Sequence, residues 1–198
     1  MRYTYDPADL QELLSRVGSS DDDAHYHALS VLQEHAEQTR GPLIALLKES
    51  PSEFQRSRCV TALTGMDHPE VEKALLHALQ HDSSSIVRDV AVTGLRGIED
   101  KETVPIFIDA LSDRSEIVRR WCADILGRLG DERAVPRLKE ALQHKDEWLA
   151  FRAAESLRQW NVPEARTTLE HLRDEALESS VRTCAKQALW EWDHGKVK

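Results

Sequence analysis

Residues 115–142 read Ser115-Glu116-Ile117-Val118-Arg119-Arg120-Trp121-Cys122-Ala123-Asp124-Ile125-Leu126-Gly127-Arg128-Leu129-Gly130-Asp131-Glu132-Arg133-Ala134-Val135-Pro136-Arg137-Leu138-Lys139-Glu140-Ala141-Leu142, and their pattern returns along the chain. With Leu126 as anchor, a leucine closes a similar apolar run at Leu32, Leu63, Leu95, Leu126, Leu157 and Leu189, at spacings of 31, 32, 31, 31 and 32. Four residues before each anchor stands a small side chain: Ala28, Cys59, Ala91, Cys122, Ala153 and Ala185. A second column follows about half a period later, at Leu47, Leu79, Leu111, Leu142 and Leu172. Self-similarity at this period predicts an all-α solenoid of about six two-helix units whose stacked faces share one core.

Outer helices are expected near 7–17, 41–49, 69–81, 102–112, 133–144 and 163–176, and inner helices near 22–38, 53–65, 84–97, 115–129, 146–160 and 178–192. A proline stands near the start of every outer helix, at Pro7, Pro42, Pro69, Pro105, Pro136 and Pro163. It costs little there, because first-turn donors have no intrahelical partner. Gly18 reads as the end of the first helix, and Ser19, Ser20, Asp21, Asp22 and Asp23 as N-cap candidates and acidic first-turn residues. Gly127 and Gly130, like Gly94 and Gly97, read as loosening the inner helix so that the chain reverses. The units run near 7–38, 41–66, 68–98, 101–130, 132–161 and 163–193, and one domain over 1–198 is the expectation.

Composition narrows the class. The chain is 40% hydrophobic and 31% charged, and no apolar run approaches the roughly 20 residues of a membrane span. The first residues lack the basic segment and apolar core of a secretory signal, so the cytoplasm is expected. Three cysteines argue against a disulfide framework. Cys59 and Cys122 sit in the small-residue column two units apart, about 20 Å at helix-packing distances, and read as buried small hydrophobes. The net charge of −9 is concentrated early: residues 1–100 hold 9 Lys and Arg against 17 Asp and Glu, while residues 101–198 hold 17 against 18. That balance counts against binding a nucleic-acid backbone.

The template, with Val118-Arg119, Cys122-Ala123, Leu126-Gly127 and the run from Asp131 through Val135-Pro136 to Leu138 and Ala141-Leu142, resembles the HEAT repeat in the short form of the phycobilisome-lyase-like proteins. The resemblance is strongest over 68–160. It implies a right-handed α-α superhelix whose inner helices line a concave groove. It also implies that an aspartate in the intra-repeat turn pairs with the inner-helix arginine, as Asp82 with Arg88 and Asp113 with Arg119. The arginine column otherwise reads His25, Arg56, Ala150 and Arg182 with no aspartate six residues earlier, so a structural ladder is expected to be incomplete.

On a helical wheel, residues 6, 5 and 2 before the anchor and 1 and 2 after it oppose the core. In the later units these positions carry Trp121, Phe151 and Trp190, interleaved with Arg120, Arg128, Arg152 and Arg158; Arg58 and Arg96 hold the same arc earlier. Tryptophan and arginine anchor interfaces more than other residues do, so this face is the candidate binding surface for another protein carrying an acidic or aromatic segment. The bland alternative is that the aromatics pack against neighbouring units and the arginines pair with Asp124, Glu155 and Glu191. Trp160 and Trp192, three past their anchors, share a column with Met66, Ile98 and Leu129 and are expected in the core.

Catalytic signals are sparse. His77 and His81 lie one turn apart, a metal-compatible spacing without a local third ligand. No His-Glu dipeptide of the HEAT-like di-iron hydroxylases occurs, nor a phosphate-binding glycine loop or nucleophile elbow. A non-enzymatic scaffold or adaptor without a cofactor is therefore the leading expectation. The resemblance also implies a bilin-lyase or chromophore-handling alternative, and HEAT-like DNA glycosylases a nucleic-acid one.

Overall fold

A computed structural model describes residues 6, 9–17, 19 and 21–195. Pro7, Gly18 and Ser20, read above as a helix start, a helix end and a cap candidate, lie outside the described residues. The described residues are helices and turns, with no strand among them. The chain divides into two compact units, Met1–Gly97 and Ile98–Lys198.

The first unit holds α1 (Leu10–Arg16), α2 (Asp22–Glu34), α3 (Ala36–Glu49), α4 (Glu53–Leu63), α5 (Pro69–His81) and α6 (Ser85–Gly94). Consecutive helices pair as hairpins, and inner helix α4 packs against α2 and α6. The second unit holds α7 (Val104–Ala110), α8 (Glu116–Leu129), α9 (Val135–Ala141), α10 (Glu147–Leu157), α11 (Pro163–Glu175) and α12 (Ser179–Asp193). There α7 pairs with α8, α9 with α10 and α11 with α12, and α10 packs between α8 and α12. The repeat columns form the core of each unit: every anchor leucine and every small residue four positions before it is buried, as is the second leucine column. Small side chains at that position let neighbouring inner helices approach closely.

Local chemistry sets the helix ends. Asp21 caps α2 by accepting from the amides of Asp23 and Ala24, Ser52 caps α4 through Gln55, and Asp146 caps α10 through Leu149. Pro69 and Pro163 open their helices, and Pro105 and Pro136 stand one residue in. Pro42 departs from the expected rule. Helix α3 starts at Ala36, five residues before the predicted start, so Pro42 lies inside it. The break falls instead at His35 (φ −107°, ψ 30°), where α2 ends early, and the buried Thr39 hydroxyl donates to the Leu32 carbonyl at 2.8 Å and the His35 carbonyl at 3.1 Å. That hydroxyl satisfies a carbonyl the end of α2 leaves without an amide, which permits a tight turn.

The glycines divide by role. Gly130 takes the left-handed conformation (φ 58°, ψ 39°) that ends α8, as expected. Gly127 does not loosen the helix. It lies within α8, where a Cβ would stand 2.4 Å from Ser156 Oγ and 3.0 Å from Ser156 Cα on α10. Its lack of a side chain allows the two helices to meet, and Ser156 Oγ donates to the Ala123 carbonyl at 2.8 Å across that contact. Trp160 and Trp192 are only half-buried. After Leu157 the chain tightens into a 3-10 turn over Arg158–Trp160, which rotates Trp160 off the core direction, and Trp192 stands in the last turn of α12.

The arginine ladder differs from the expected carboxylate pairing. Arg56, Arg88 and Arg119 donate through Nη1 to the main-chain carbonyls of Ser50 (2.9 Å), Asp82 (2.9 Å) and Asp113 (2.7 Å), and Arg182 likewise to Ala176. Each acceptor lies six residues earlier, where the preceding outer helix ends. The guanidinium caps the carbonyls of that helix, where the helix dipole also favours a cation, so an aspartate at that position is not required. The aspartate carboxylate serves another arginine: Asp82 accepts from Arg56 at 2.8 and 2.9 Å, tying α5 to α4. Burial alone would raise the Asp82 pKa, but the Arg56 hydrogen bonds and charge and the Ser84 amide hold it below its usual value.

Candidate functional site

The candidate site lies in the second unit, on the solvent side of the inner helices. Helices α8 and α10 run side by side, so residues at equivalent repeat positions become neighbours. Their first two turns bring Ile117, Arg120 and Trp121 against Trp148 and Arg152, lining an open pocket of roughly 270 Å³. Ile117 is 43% exposed. Arg152 lies over the Trp148 ring at 6.0 Å and over the Phe151 ring at 5.8 Å, and Trp148 meets Phe151 edge to face at 5.9 Å. The Trp148 indole N–H donates to Glu178 at 2.9 Å, which fixes the ring.

The predicted residues distribute unevenly. Arg120, Trp121 and Arg152 come together in this pocket. Phe151 does not belong to the solvent face: it is 4% exposed, buried beneath Trp148 and Arg152. The wheel sets its register, six residues before the anchor, opposite the core, but the ring packs inward under Trp148 and Arg152. Trp190 is 47% exposed on α12 and stacks on His194 with centroids 4.5 Å apart. Arg128 and Arg158 line a second cavity of about 420 Å³ with Asp124, Glu155 and Gln159. In the first unit, Arg58 is half-buried on α4, and Arg96 is exposed in the 3-10 turn Leu95–Gly97.

Charge along the face is largely internally paired. Arg120 meets Asp146 at 3.0 Å and Glu116 at 2.7 Å. Asp124 stands between Arg128 (3.8 Å) and Arg152 (3.6 Å), and Arg158 between Glu191 (3.1 Å) and Glu155 (3.9 Å). The alternative of pairing with Asp124, Glu155 and Glu191 thus describes Arg128, Arg152 and Arg158, whereas Arg120 pairs with Asp146 and Glu116. Burial raises the Glu155 pKa above its usual value, Glu191 and Asp124 adding to this against the opposing pull of Arg158 and Arg152.

Trp148 and Ile117 were not singled out from the sequence, yet a signal for them exists. Nine residues before the anchor the chain carries Phe54, Ile86, Ile117 and Trp148 in four successive repeats. Phe54 and Ile86 in the first unit are 64% and 44% exposed. A recurring apolar residue at a solvent-facing register is not explained by core packing.

Other chemistry is limited. The His77 and His81 rings lie 4.7 Å apart beside Asp82, whose carboxylate is committed to Arg56. Among the described residues no group of three or more His, Cys, Asp or Glu side chains is placed to hold a metal ion. Cys59 and Cys122 are buried, which pushes the Cys59 thiol up to about 12 and that of Cys122 well above its usual value. No helix of the described residues is long and apolar enough to cross a membrane.

Stacked helix pairs carrying a repeated core and a solvent face of aromatic and arginine side chains define an all-α repeat protein of the HEAT and armadillo type. The family model for HEAT repeats matches residues 7–96, 69–158 and 104–190, and the chain belongs to that family. No curated protein matches it. Among solved structures it is similar to the CpcE and CpcF complex of phycocyanin lyase from Nostoc sp. PCC7120, with a TM-score of 0.60 at 19% identity, covering 95% of this chain and 80% of that one. A designed armadillo repeat protein in complex with the peptide (KR)4 matches with a TM-score of 0.59 at 19% identity, over 93% and 99% of the two chains. The S. pombe condensin Cnd3-Cnd2 subcomplex matches with a TM-score of 0.56 at 21% identity, covering 94% of this chain and 27% of that one.

Proposed function

We propose that the chain is a protein-binding scaffold of the cytoplasm that engages its partner through the inner-helix face of the second unit. The observation that carries this reading is the pocket between α8 and α10, where two tryptophans, an isoleucine and two arginines meet solvent. Such residues supply most of the binding energy at protein interfaces when they sit in a pocket. Repeat proteins of this class present extended surfaces suited to that use. The test is partner capture by wild type and by a Trp121→Ala/Arg152→Ala variant of equal helicity. Loss of capture supports the reading, and unchanged capture overturns it. Titration with a bilin adds a second arm, since a shifted absorption band would favour a chromophore-handling role instead.

A further inference from the structure

We propose that the pocket between α8 and α10 receives a large apolar side chain of a protein partner while Arg152 binds a carboxylate two residues away on the same extended segment. This inference rests on the protein-binding reading above and names the chemistry of the segment.

The two arginines of the pocket are not equivalent. Arg120 is held by Asp146 and Glu116 at hydrogen-bonding distances. Arg152 lies instead over two aromatic rings, 6.0 Å from the Trp148 centroid and 5.8 Å from that of Phe151. Among the described residues its carboxylate partner is Asp124 at 3.6 Å, no hydrogen bond engages its guanidinium, and its side chain is 34% exposed. A guanidinium placed by aromatic faces with its planar donor edge unspent is preorganised for a bidentate carboxylate. The apolar wall of Ile117, Trp121 and Trp148 lies beside it, and the pocket of roughly 270 Å³ has room for a large apolar side chain.

Spacing follows from distance. The Arg152 guanidinium carbon stands 6.0 Å from the Trp148 ring centroid, and two residues of extended chain span about 6.6 Å while projecting both side chains to one side. An acidic residue and a large apolar residue two positions apart on an extended segment therefore fit both halves. Asp124 offsets part of the Arg152 charge, so recognition depends on short-range hydrogen bonds more than on long-range attraction.

The test uses the full chain and immobilised Gly/Ser-rich peptides carrying Glu-Ser-Phe, Gln-Ser-Phe or Glu-Ser-Ala, with binding read by surface plasmon resonance. Glu-Ser-Phe is expected to bind at least tenfold more tightly than either of the others. In Arg152→Gln, with unchanged far-ultraviolet circular dichroism, the preference for Glu over Gln is expected to vanish. In Trp148→Ala the preference for Phe over Ala is expected to vanish. Equal wild-type binding of Glu-Ser-Phe and Gln-Ser-Phe, retention of the preference by Arg152→Gln, or no binding of Glu-Ser-Phe at millimolar concentration overturns the inference. Partner capture lost in Trp121→Ala/Arg152→Ala but accompanied by no peptide preference overturns this inference alone and leaves the scaffold reading in place.

Discussion

Two carboxylates in this chain, Asp82 and Glu155, have opposite surroundings and respond oppositely to pH. The Asp82 pKa is lowered, so the stability from its pair with Arg56 is present above the ordinary carboxylate pKa and is lost as pH falls through the lowered value. Asp82→Asn leaves a buried guanidinium short of a partner and is expected to cost about 3 kcal/mol near neutral pH, with the deficit shrinking in acid. Urea unfolding at pH 7 and below pH 3 measures it, and an equal deficit at both would contradict the assignment. The Glu155 pKa is raised, so folding favours its protonated form, and stability declines as pH rises through that value. Glu155→Gln is therefore expected to raise the melting temperature at pH 7 and to leave it unchanged well below the ordinary carboxylate pKa. Gly127 makes a third case. Gly127→Ala would push a methyl into Ser156 and its backbone, and is expected to destabilise by about 1–3 kcal/mol in urea unfolding, whereas Gly97→Ala, with open space around it, meets no such contact.

Element positions were legible wherever periodicity and caps agreed. Helix α5 runs from Pro69 to His81 as read, because proline, the second-column Leu79 and the turn at Asp82 all point to the same ends. The junction of α2 and α3 was not legible: a proline usually marks a helix start, and nothing local in the sequence shows that the Thr39 hydroxyl will stabilise an earlier turn at His35. This leaves Pro42 without the amide that α3 would use, at an interior position that disfavours proline by roughly 3 kcal/mol. Pro42→Ala is expected to gain about 2 kcal/mol after the unfolded chain regains freedom, raising the melting temperature by about 4–8 °C. No gain in a thermal scan would mean that α3 already relieves the proline by bending. The arginine capping is also an element-scale device that periodicity does not reveal. The column of Arg56, Arg88, Arg119 and Arg182 is visible in sequence, but its acceptors are main-chain carbonyls, which any residue supplies.

Across the whole chain the repeat explains both what sequence showed and what it missed. The core columns were readable because burial repeats with the period, and for the same reason both thiols at Cys59 and Cys122 lie in the core. Both are expected to resist a thiol reagent until unfolding, with the half-buried Cys184 reacting first, as mass spectrometry of timed labelling would show. The candidate site was only partly readable. Arg120, Trp121 and Arg152 line one pocket with Trp148, while Phe151 turns inward. A wheel treats each helix as isolated, whereas the pocket is formed by residues of two adjacent helices.

The claim that this pocket is where a partner docks is tested most directly by placing a photocrosslinking side chain at Ile117 on α8 and, separately, at the exposed Lys139 of outer helix α9. Irradiation of each protein in its source cells, followed by mass spectrometry of the adducts, reports what touches each position. The account predicts adducts to a second protein at 117, to peptide segments carrying an acidic residue near a large apolar one, and none of these at 139. Equal adducts at both positions, or none at 117, would contradict it.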